Sequence, residues 1–201
     1  MINVRIDYIM EGIELVSFKN RMIALTGVLA ALAVIGTMII QIPIPMTKGF
    51  IHIGDSIVYL CGILLSPAYA AAAAGIGSAL ADVLSGYLLY APATFVIKAL
   101  DAVIAGFAFK MLAGKTKRTI SRTFVAVSIA VCAGGLVMVS GYFAYEAMLF
   151  GGAAAIAALI PNIIQAVGGG VILIPILLAL DKMNLIDKMS QRPKPTTSIA
   201  S

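Results

Sequence analysis

Ionisable side chains stand within or beside long apolar segments of this chain, where they could bind a ligand or conduct ions. His52, Asp55, Asp82, Lys98 and Asp101 all belong to residues 49–106. Charged groups are costly inside a bilayer and usually face the interior of a helix bundle or a watery cavity. We therefore expect this part of the chain to form the core of a binding site embedded in a membrane.

Polar side chains on later segments are placed to join the same site. Tyr142 and Glu146 are four residues apart and Asn162 and Gln165 are three apart, so each pair shares one helical face. At a rise of ~1.5 Å per residue, Lys98 and Asn162 lie about 9 and 13 Å from the outer starts of their helices. These depths predict one pocket in the outer half of a bundle. The predicted binding residues are His52, Asp55, Tyr90, Lys98, Tyr142, Glu146, Asn162 and Gln165.

Each candidate also has a purely structural interpretation. Lys98 could pair with Asp82, or with Asp101 at i+3, to hold helices together. Asn162 and Gln165 are equally typical of hydrogen bonds between membrane helices. His52 and Glu146 could instead be solvated loop residues. Tyr90 could instead belong to an interfacial aromatic belt.

Composition identifies an integral membrane protein. Of 201 residues, 61% are hydrophobic and 11% are charged, and the mean hydropathy is +1.05, whereas soluble domains are roughly 25% charged. The apolar runs are long and do not alternate, which favours helices over a barrel. Cys61 and Cys132 fall inside these runs as small apolar residues, without the spacing of a disulfide or metal site. The net charge of +5 is explained by loop placement against the membrane rather than by nucleic-acid binding.

The apolar runs predict one all-α domain, a bundle of six transmembrane helices within residues 21–180. Residues 1–20 are predicted to form an amphipathic segment on the membrane surface. The polar tail, residues 181–201, is predicted to be disordered. Two prolines predict a loop at residues 41–48. The predicted spans are residues 21–40, 51–65, 68–84, 92–112, 123–148 and 153–180, the last interrupted by Pro161, by residues 168–170 and by Pro175.

The placement of positive charge predicts the orientation of the bundle. Twelve of the fourteen Lys and Arg residues lie in the N-terminal segment up to Arg21, in the connector formed by residues 110–122 or in the C-terminal tail. Positive residues concentrate in cytoplasmic loops. We therefore predict cytoplasmic termini in the cell membrane, with His52 near the outer face.

Several stretches of the sequence resemble the substrate-binding S component of energy-coupling factor (ECF) vitamin transporters. They are HIGD, CGILLSP, GIGSALADVLSGYLLYAPATFVIKALDAVIAG and PNIIQAVGGG. The resemblance implies a six-helix bundle that binds one vitamin or precursor from outside, beneath its first loop. It also implies a complex with a transmembrane coupling subunit and two ATPase subunits. The chain contains no GxxxxGK(S/T) phosphate-binding loop, as expected of a component without its own ATPase.

The resemblance further implies a small-residue face on the first helix that meets the coupling subunit. Its match here is Gly27 and Ala31, for which packing inside the protein is the alternative. Nickel and cobalt relatives use an N-terminal histidine, and this chain begins Met-Ile-Asn. We therefore expect neither a metal substrate nor a cofactor.

The expected function is capture of a small, water-soluble, vitamin-like heterocycle. With no Trp in the chain, Tyr and Phe would stack on the ring, while Lys98, Asn162 and Gln165 would bind its polar edge. A single-ring compound of the pyridoxine or hydroxymethylpyrimidine type is the predicted ligand. The main alternative is an autonomous ion-coupled transporter that uses Asp82, Lys98 and Asp101. A membrane enzyme is disfavoured because the chain has no HExxH motif or clustered metal ligands.

Overall fold

Six helices, a β-hairpin and a short seventh helix make up the described chain. The computed structural model describes residues 2–44, 49–114 and 119–190. Within these ranges the prediction of a six-helix bundle is confirmed. The elements are α1 (Ile2–Met38), β1 (Gln41–Ile44), β2 (Gly49–His52), α2 (Asp55–Leu64), α3 (Pro67–Leu84), α4 (Ala91–Ala113), α5 (Ile120–Phe150), α6 (Gly152–Lys182) and α7 (Leu185–Ser190).

The long helices present apolar surfaces that suit a bilayer. In the described part of the chain, four segments are long and apolar enough to cross a membrane: Glu14–Met38, Pro67–Leu84, Ile120–Phe150 and Gly152–Lys182. Large apolar side chains remain exposed on the bundle, among them Leu136, at 71% exposure. An apolar surface of this extent would be an aggregation hazard in water. It is the expected outer surface of a bundle in lipid.

Helix α1 is longer than the predicted first span. It runs without a break from Ile2 to Met38, so the predicted boundary at residue 20 does not coincide with a helix end. That residues 2–20 lie on the membrane surface stays a prediction. The helix packs against α3 and α2.

The first loop is a β-hairpin rather than the irregular loop expected from its prolines. Strands β1 and β2 pair antiparallel, with Gln41 opposite His52 and Ile44 opposite Gly49. Pro43 is tolerated because each strand of a two-stranded hairpin has a free edge, where a missing N–H breaks no ladder. Residues 45–48 lie outside the described chain.

The hairpin also shortens the predicted second span. Strand β2 takes up its first residues, and α2 has only ten residues, from Asp55 to Leu64. At ~1.5 Å per residue it is about 15 Å long, half the hydrocarbon thickness. It is almost entirely buried, because it packs against α1, α3, α4 and α6.

Glycines allow α2 and α4 to touch through their backbones. A Cβ added at Gly62 would lie 2.0 Å from the Ala102 carbonyl oxygen, and one added at Gly106 would lie 2.2 Å from that of Gly62. Only a residue without a Cβ fits at either point. This contact brings the N-terminal half of α4, with Lys98, beside the N-terminal end of α2.

Helix α6 is continuous, and its predicted interruption is wrong. It runs from Gly152 to Lys182 with Pro161 and Pro175 inside it. Neighbouring helices allow prolines within membrane helices. A Cβ at Gly169 would lie 2.8 Å from the Cβ of Asp55, so this glycine lets α6 approach α2 closely instead of breaking the helix.

The start of the C-terminal tail is ordered, contrary to the disorder predicted for it. Helix α7, Leu185–Ser190, follows α6 after a short turn. Ile186 is 3% exposed and belongs to the main apolar core. Met189 also packs against this core, and the rest of the tail lies outside the described residues.

Candidate ligand-binding site

A pocket lies between the β-hairpin and the helices next to it. Its empty space, including the open mouth, is about 370 Å³. The hairpin, α3, α4, α5 and α6 all contribute side chains, so the pocket exists only in the folded bundle. The lining residues are Ile44, Gly49, Phe50, His52, Asp82, Tyr90, Thr94, Tyr142, Glu146, Asn162 and Gln165.

Most of the predicted binding residues meet at this pocket. Six of the eight line it: His52, Tyr90, Tyr142, Glu146, Asn162 and Gln165. All six are buried, which argues against a solvated His52 or Glu146 and against Tyr90 as part of an interfacial belt. Asp55 and Lys98 do not line the pocket and lie behind it.

Gln165 ties the hairpin to the bundle. Its side-chain oxygen accepts a hydrogen bond from the backbone N–H of His52 at 3.0 Å, and its side-chain nitrogen donates to Asp55 at 3.0 Å. Both bonds are buried, where an unmade hydrogen bond would carry its full desolvation cost. Gln165 therefore joins β2, α2 and α6 on one side of the pocket.

His52 is neutral and orients the turn into α2. The Gly54 N–H donates to His52 Nδ1 at 3.1 Å, which assigns the ring proton to Nε2. In that tautomer the 3.3 Å contact between His52 Nε2 and Gln165 Nε2 joins two donors and is not a hydrogen bond. Burial lowers the pKa of His52 to about 4; the Asp55 charge raises it and that of Lys98 lowers it further.

Behind the pocket, Lys98 pairs with two carboxylates. It forms an ion pair with Asp55 on α2, and its Nζ lies 3.9 Å from the carboxylate of Asp101. All three side chains are 0% exposed. The predicted pairing with Asp101 is confirmed, the one with Asp82 is wrong, and Asp55 was missed as a partner. Lys98 reaches the pocket through Asp55, which holds Gln165.

Tyrosine hydroxyls organise the acidic side of the pocket. Tyr90 donates to Glu146 at 3.2 Å, and Tyr142 donates to the Thr94 hydroxyl at 3.0 Å. Thr94 in turn hydrogen-bonds Asp82. The Tyr90 and Tyr142 rings are 6.4 Å apart between centroids, so the aromatic surface and the carboxyls belong to one wall.

Five lining residues were not among the predicted binding residues: Ile44, Gly49, Phe50, Asp82 and Thr94. Asp82 was expected among the ionisable groups of the site but was not named as a binding residue, and Thr94 lies within the YAPAT stretch. Alternation along a strand would have placed Phe50 on the same face as His52. That signal was lost because the hairpin was taken for a loop and a helix start.

The small-residue face of α1 does not pack inside the described chain. A Cβ added at Gly27 would have no atom within 4 Å, and Ala31 is exposed. Helix α1 instead meets α3 through Ala30, whose carbonyl oxygen would lie 2.6 Å from a Cβ at Gly77. Internal packing is therefore the wrong interpretation for Gly27 and Ala31.

A membrane bundle with a polar, aromatic pocket beneath a hairpin defines a membrane-embedded protein that binds a small ligand. The sequence model of one family, "ECF-type riboflavin transporter, S component", matches residues 17–182. The chain belongs to this family. It is thus a multi-pass membrane protein and a transporter component, not an enzyme, and its family implies a vitamin ligand and an ECF module as partner.

One related protein comes from Pyrococcus woesei and is described as "Uncharacterized protein in gap 3'region". It is 38% identical over 136 residues, which cover 68% of this chain and 85% of that protein. Its description assigns no function.

Proposed function

We propose that this protein captures a small, water-soluble, vitamin-like heterocycle from outside the cell for ATP-driven uptake by partner subunits. One observation supports this most strongly: a buried pocket under the hairpin combines tyrosine rings with amide and carboxyl groups. Concave sites with an apolar lining and a few convergent polar groups are typical of small-ligand binding.

The lining supplies two kinds of contact. Phe50, Tyr90 and Tyr142 offer ring surfaces for stacking. Asn162 and Gln165 offer amides that both donate and accept hydrogen bonds, as the edge of a heterocycle requires. Lys98 acts through Asp55 and Gln165 rather than on the ligand itself, because it lies behind the lining.

Two ligand types fit this chemistry. The sequence favours a single-ring compound of the pyridoxine or hydroxymethylpyrimidine type. The family description names riboflavin, a three-ring compound that would fill the pocket far more completely. Both are heterocycles with polar edges, which the ring surfaces and amides of the lining could contact.

We assign Gly27 and Ala31 to the contact with the transmembrane coupling subunit of a module that also holds two ATPases. The two residues are one helical turn apart on an exposed face of α1. Neither side chain holds a partner helix away, and small residues allow membrane helices to approach closely.

The test separates an S component from an autonomous ion-coupled transporter that uses Asp82, Lys98 and Asp101. Gly27→Leu and Ala31→Leu add bulk where the partner helix should lie. We expect each variant to bind ligand as the purified wild type does, but to lose co-purification with the ATPase complex and ATP-dependent uptake. Val28→Leu, at a neighbouring exposed position, is the control and should keep both.

Other results would contradict the assignment. Uptake that persists in both leucine variants favours the autonomous transporter. So does uptake that survives ATP depletion but stops when the ion gradient is dissipated. Loss of ligand binding in the isolated variants would place Gly27 and Ala31 in the internal fold.

A further inference from the structure

One side chain of α6 spans the corner at which the hairpin turns into α2. Strand β2 ends at His52, and α2 begins three residues later at Asp55. Gln165 accepts a hydrogen bond from the His52 backbone N–H and donates one to the Asp55 carboxylate, each at 3.0 Å. The reversed amide would set donor against donor and oxygen against carboxylate, so the partners assign its orientation. Gln165 therefore fixes the angle between β2 and α2 from a third element.

The Asp55 end of this bridge is firmly anchored. Asp55 is 0% exposed and forms an ion pair with Lys98 on α4. Just before it, a Cβ added at Gly54 would lie 2.3 Å from the hydroxyl oxygen of Thr37, so the turn into α2 is packed tightly against α1. A hydrogen bond to a carboxylate away from water is stronger than one between neutral groups. Gln165 therefore ties β2 to a fixed point in the bundle.

The hairpin is held at one end and lines the pocket at the other. Gln41 lies opposite His52, and its side-chain nitrogen donates to the Ser85 hydroxyl at 2.8 Å, in a bond that is only partly buried. Ile44 lies opposite Gly49 at the other end, and both line the pocket. Because the paired strands move together, a small rotation at His52 displaces Ile44 by a larger distance. Loss of the buried bond at His52 should therefore move one wall of the pocket.

We infer that Gln165 is a positioning residue. It holds the hairpin in place as a wall of the pocket, through its bond to Asp55, instead of recognising the ligand with its amide N–H. The lining amide left for direct contact with the ligand is that of Asn162. Where it concerns ligand affinity, this inference rests on the proposed function, because it assigns the role of one residue of the same pocket.

A reversal of the bridge tests this role. Asp55→Asn leaves Gln165 without an acceptor, because Lys98 takes the single oxygen of the new amide. Addition of Gln165→Glu restores a bond in the opposite direction: the new amide donates to the new carboxylate, which still accepts the His52 N–H. The double variant keeps the net charge and the side-chain lengths. It has no amide N–H on α6 at this point, so a ligand that depends on that N–H would not regain its affinity.

Ligand affinity is the first measurement. It uses the full-length protein purified in detergent and equilibrium dialysis against riboflavin and against pyridoxine. For the compound that the wild type binds, we expect Asp55→Asn to weaken binding by about 10-fold, as the loss of one buried hydrogen bond implies. The double variant with Gln165→Glu should return to within about 3-fold of the wild-type affinity.

Thiol labelling reports the position of the hairpin without any ligand. In a Cys132→Ser background, Ile44→Cys places a thiol where the native side chain is 8% exposed. Cys61, at 0% exposure in α2, reports global unfolding in the same experiment. We expect Asp55→Asn to speed maleimide labelling of the hairpin thiol by about 10-fold while Cys61 stays protected. The double variant should label as slowly as the parent.

Thr94→Val is the matched control. It removes a buried hydrogen bond of the same pocket, the one from the Tyr142 hydroxyl, and leaves the bridge through Gln165 intact. It should not change the labelling rate of the hairpin thiol. Labelling that rises as much in this control as in Asp55→Asn would show that the hairpin responds to any disturbance of the pocket, and would overturn the inference.

The remaining outcomes separate this inference from the proposed function. Labelling unchanged in Asp55→Asn, or not restored in the double variant, overturns the inference. Restored labelling without restored affinity does so too, because the ligand then uses the Gln165 N–H. If Asp55→Asn does not fold, Gln165→Met, which leaves the pair of Asp55 and Lys98 intact, must show the faster labelling. If the wild type binds neither compound and mass spectrometry detects no small molecule on it, the proposed function fails, and labelling alone decides whether Gln165 holds the hairpin.

Discussion

At the scale of single residues, Lys98, Asp55 and Asp101 form a group of ionisable side chains with no solvent exposure. All three side chains are withdrawn from solvent, and the cost of burying ionised groups is offset only if they stay paired. Asp55 also holds Gln165, and Gln165 holds the hairpin. Asp55 does not line the pocket, but it thereby holds Gln165, which does.

Removal of the Lys98 ammonium should act mainly on the stability of the fold and less on ligand binding. Lys98→Met would leave two buried carboxyls without their cation, and breaking such a pair costs about 3–5 kcal/mol. We expect this fall in the free energy of unfolding, measured by denaturant titration of the purified protein. The double variant Lys98→Met/Asp55→Asn should recover part of it. Wild-type stability of Lys98→Met would show that the pairing contributes nothing.

At the scale of elements, the site depends on the short helix α2. Its length leaves room beyond its N-terminus for the hairpin, while its burial holds Asp55 behind the pocket, in contact with Gln165. Contact between the backbones of α2 and α4 at Gly62 and Gly106 sets the depth of Lys98 relative to Asp55. The pocket is therefore as sensitive to helix packing as to its own lining.

Two glycines in membrane helices should respond oppositely to the same substitution. Gly62→Ala would place a Cβ 2.0 Å from a backbone oxygen of α4, and we expect a loss of about 1–3 kcal/mol or more in the free energy of unfolding. Gly27→Ala meets nothing within 4 Å, so stability should hold or rise by up to about 1 kcal/mol. Equal effects in denaturant titrations would refute this account of the α2–α4 contact.

At the scale of the whole molecule, the hairpin and the pocket share one end of the bundle. The turn between α3 and α4 and the turn between α5 and α6 lie at that same end, as the lining residues Tyr90 and Glu146 show. At the opposite end, within the described residues, Lys110 lies in the last turn of α4, Arg122 in the first turn of α5 and Lys182 in the last turn of α6. The pocket therefore opens to the outside if the positive end is cytoplasmic.

Cysteine labelling tests that orientation. Leu88 is 65% exposed in the α3–α4 turn, and Met183 is 62% exposed after α6. With the exposed Cys132 replaced by Ser, a membrane-impermeant maleimide should label Leu88→Cys in intact cells. Met183→Cys should react only after permeabilisation. The reverse pattern would turn the pocket towards the cytoplasm and contradict capture from outside.

The membrane class, the six helices and six of the eleven pocket residues could be predicted from the amino-acid sequence. Hydrophobic length and charge are local properties, and a bilayer leaves few ways to satisfy a backbone, so apolar runs predict helices well. Spacing of three or four residues placed Tyr142 with Glu146 and Asn162 with Gln165, and the pocket contains both pairs.

The contacts between the helices and the hairpin depend on the three-dimensional packing. Asp55 and Lys98 are 43 positions apart in the chain. They meet because glycine contacts bring their helices together. The hairpin formed despite Pro43 because its strands have free edges, and α6 stayed continuous because its glycines serve packing. Such outcomes depend on neighbours distant in the chain, and no local pattern of residues encodes them.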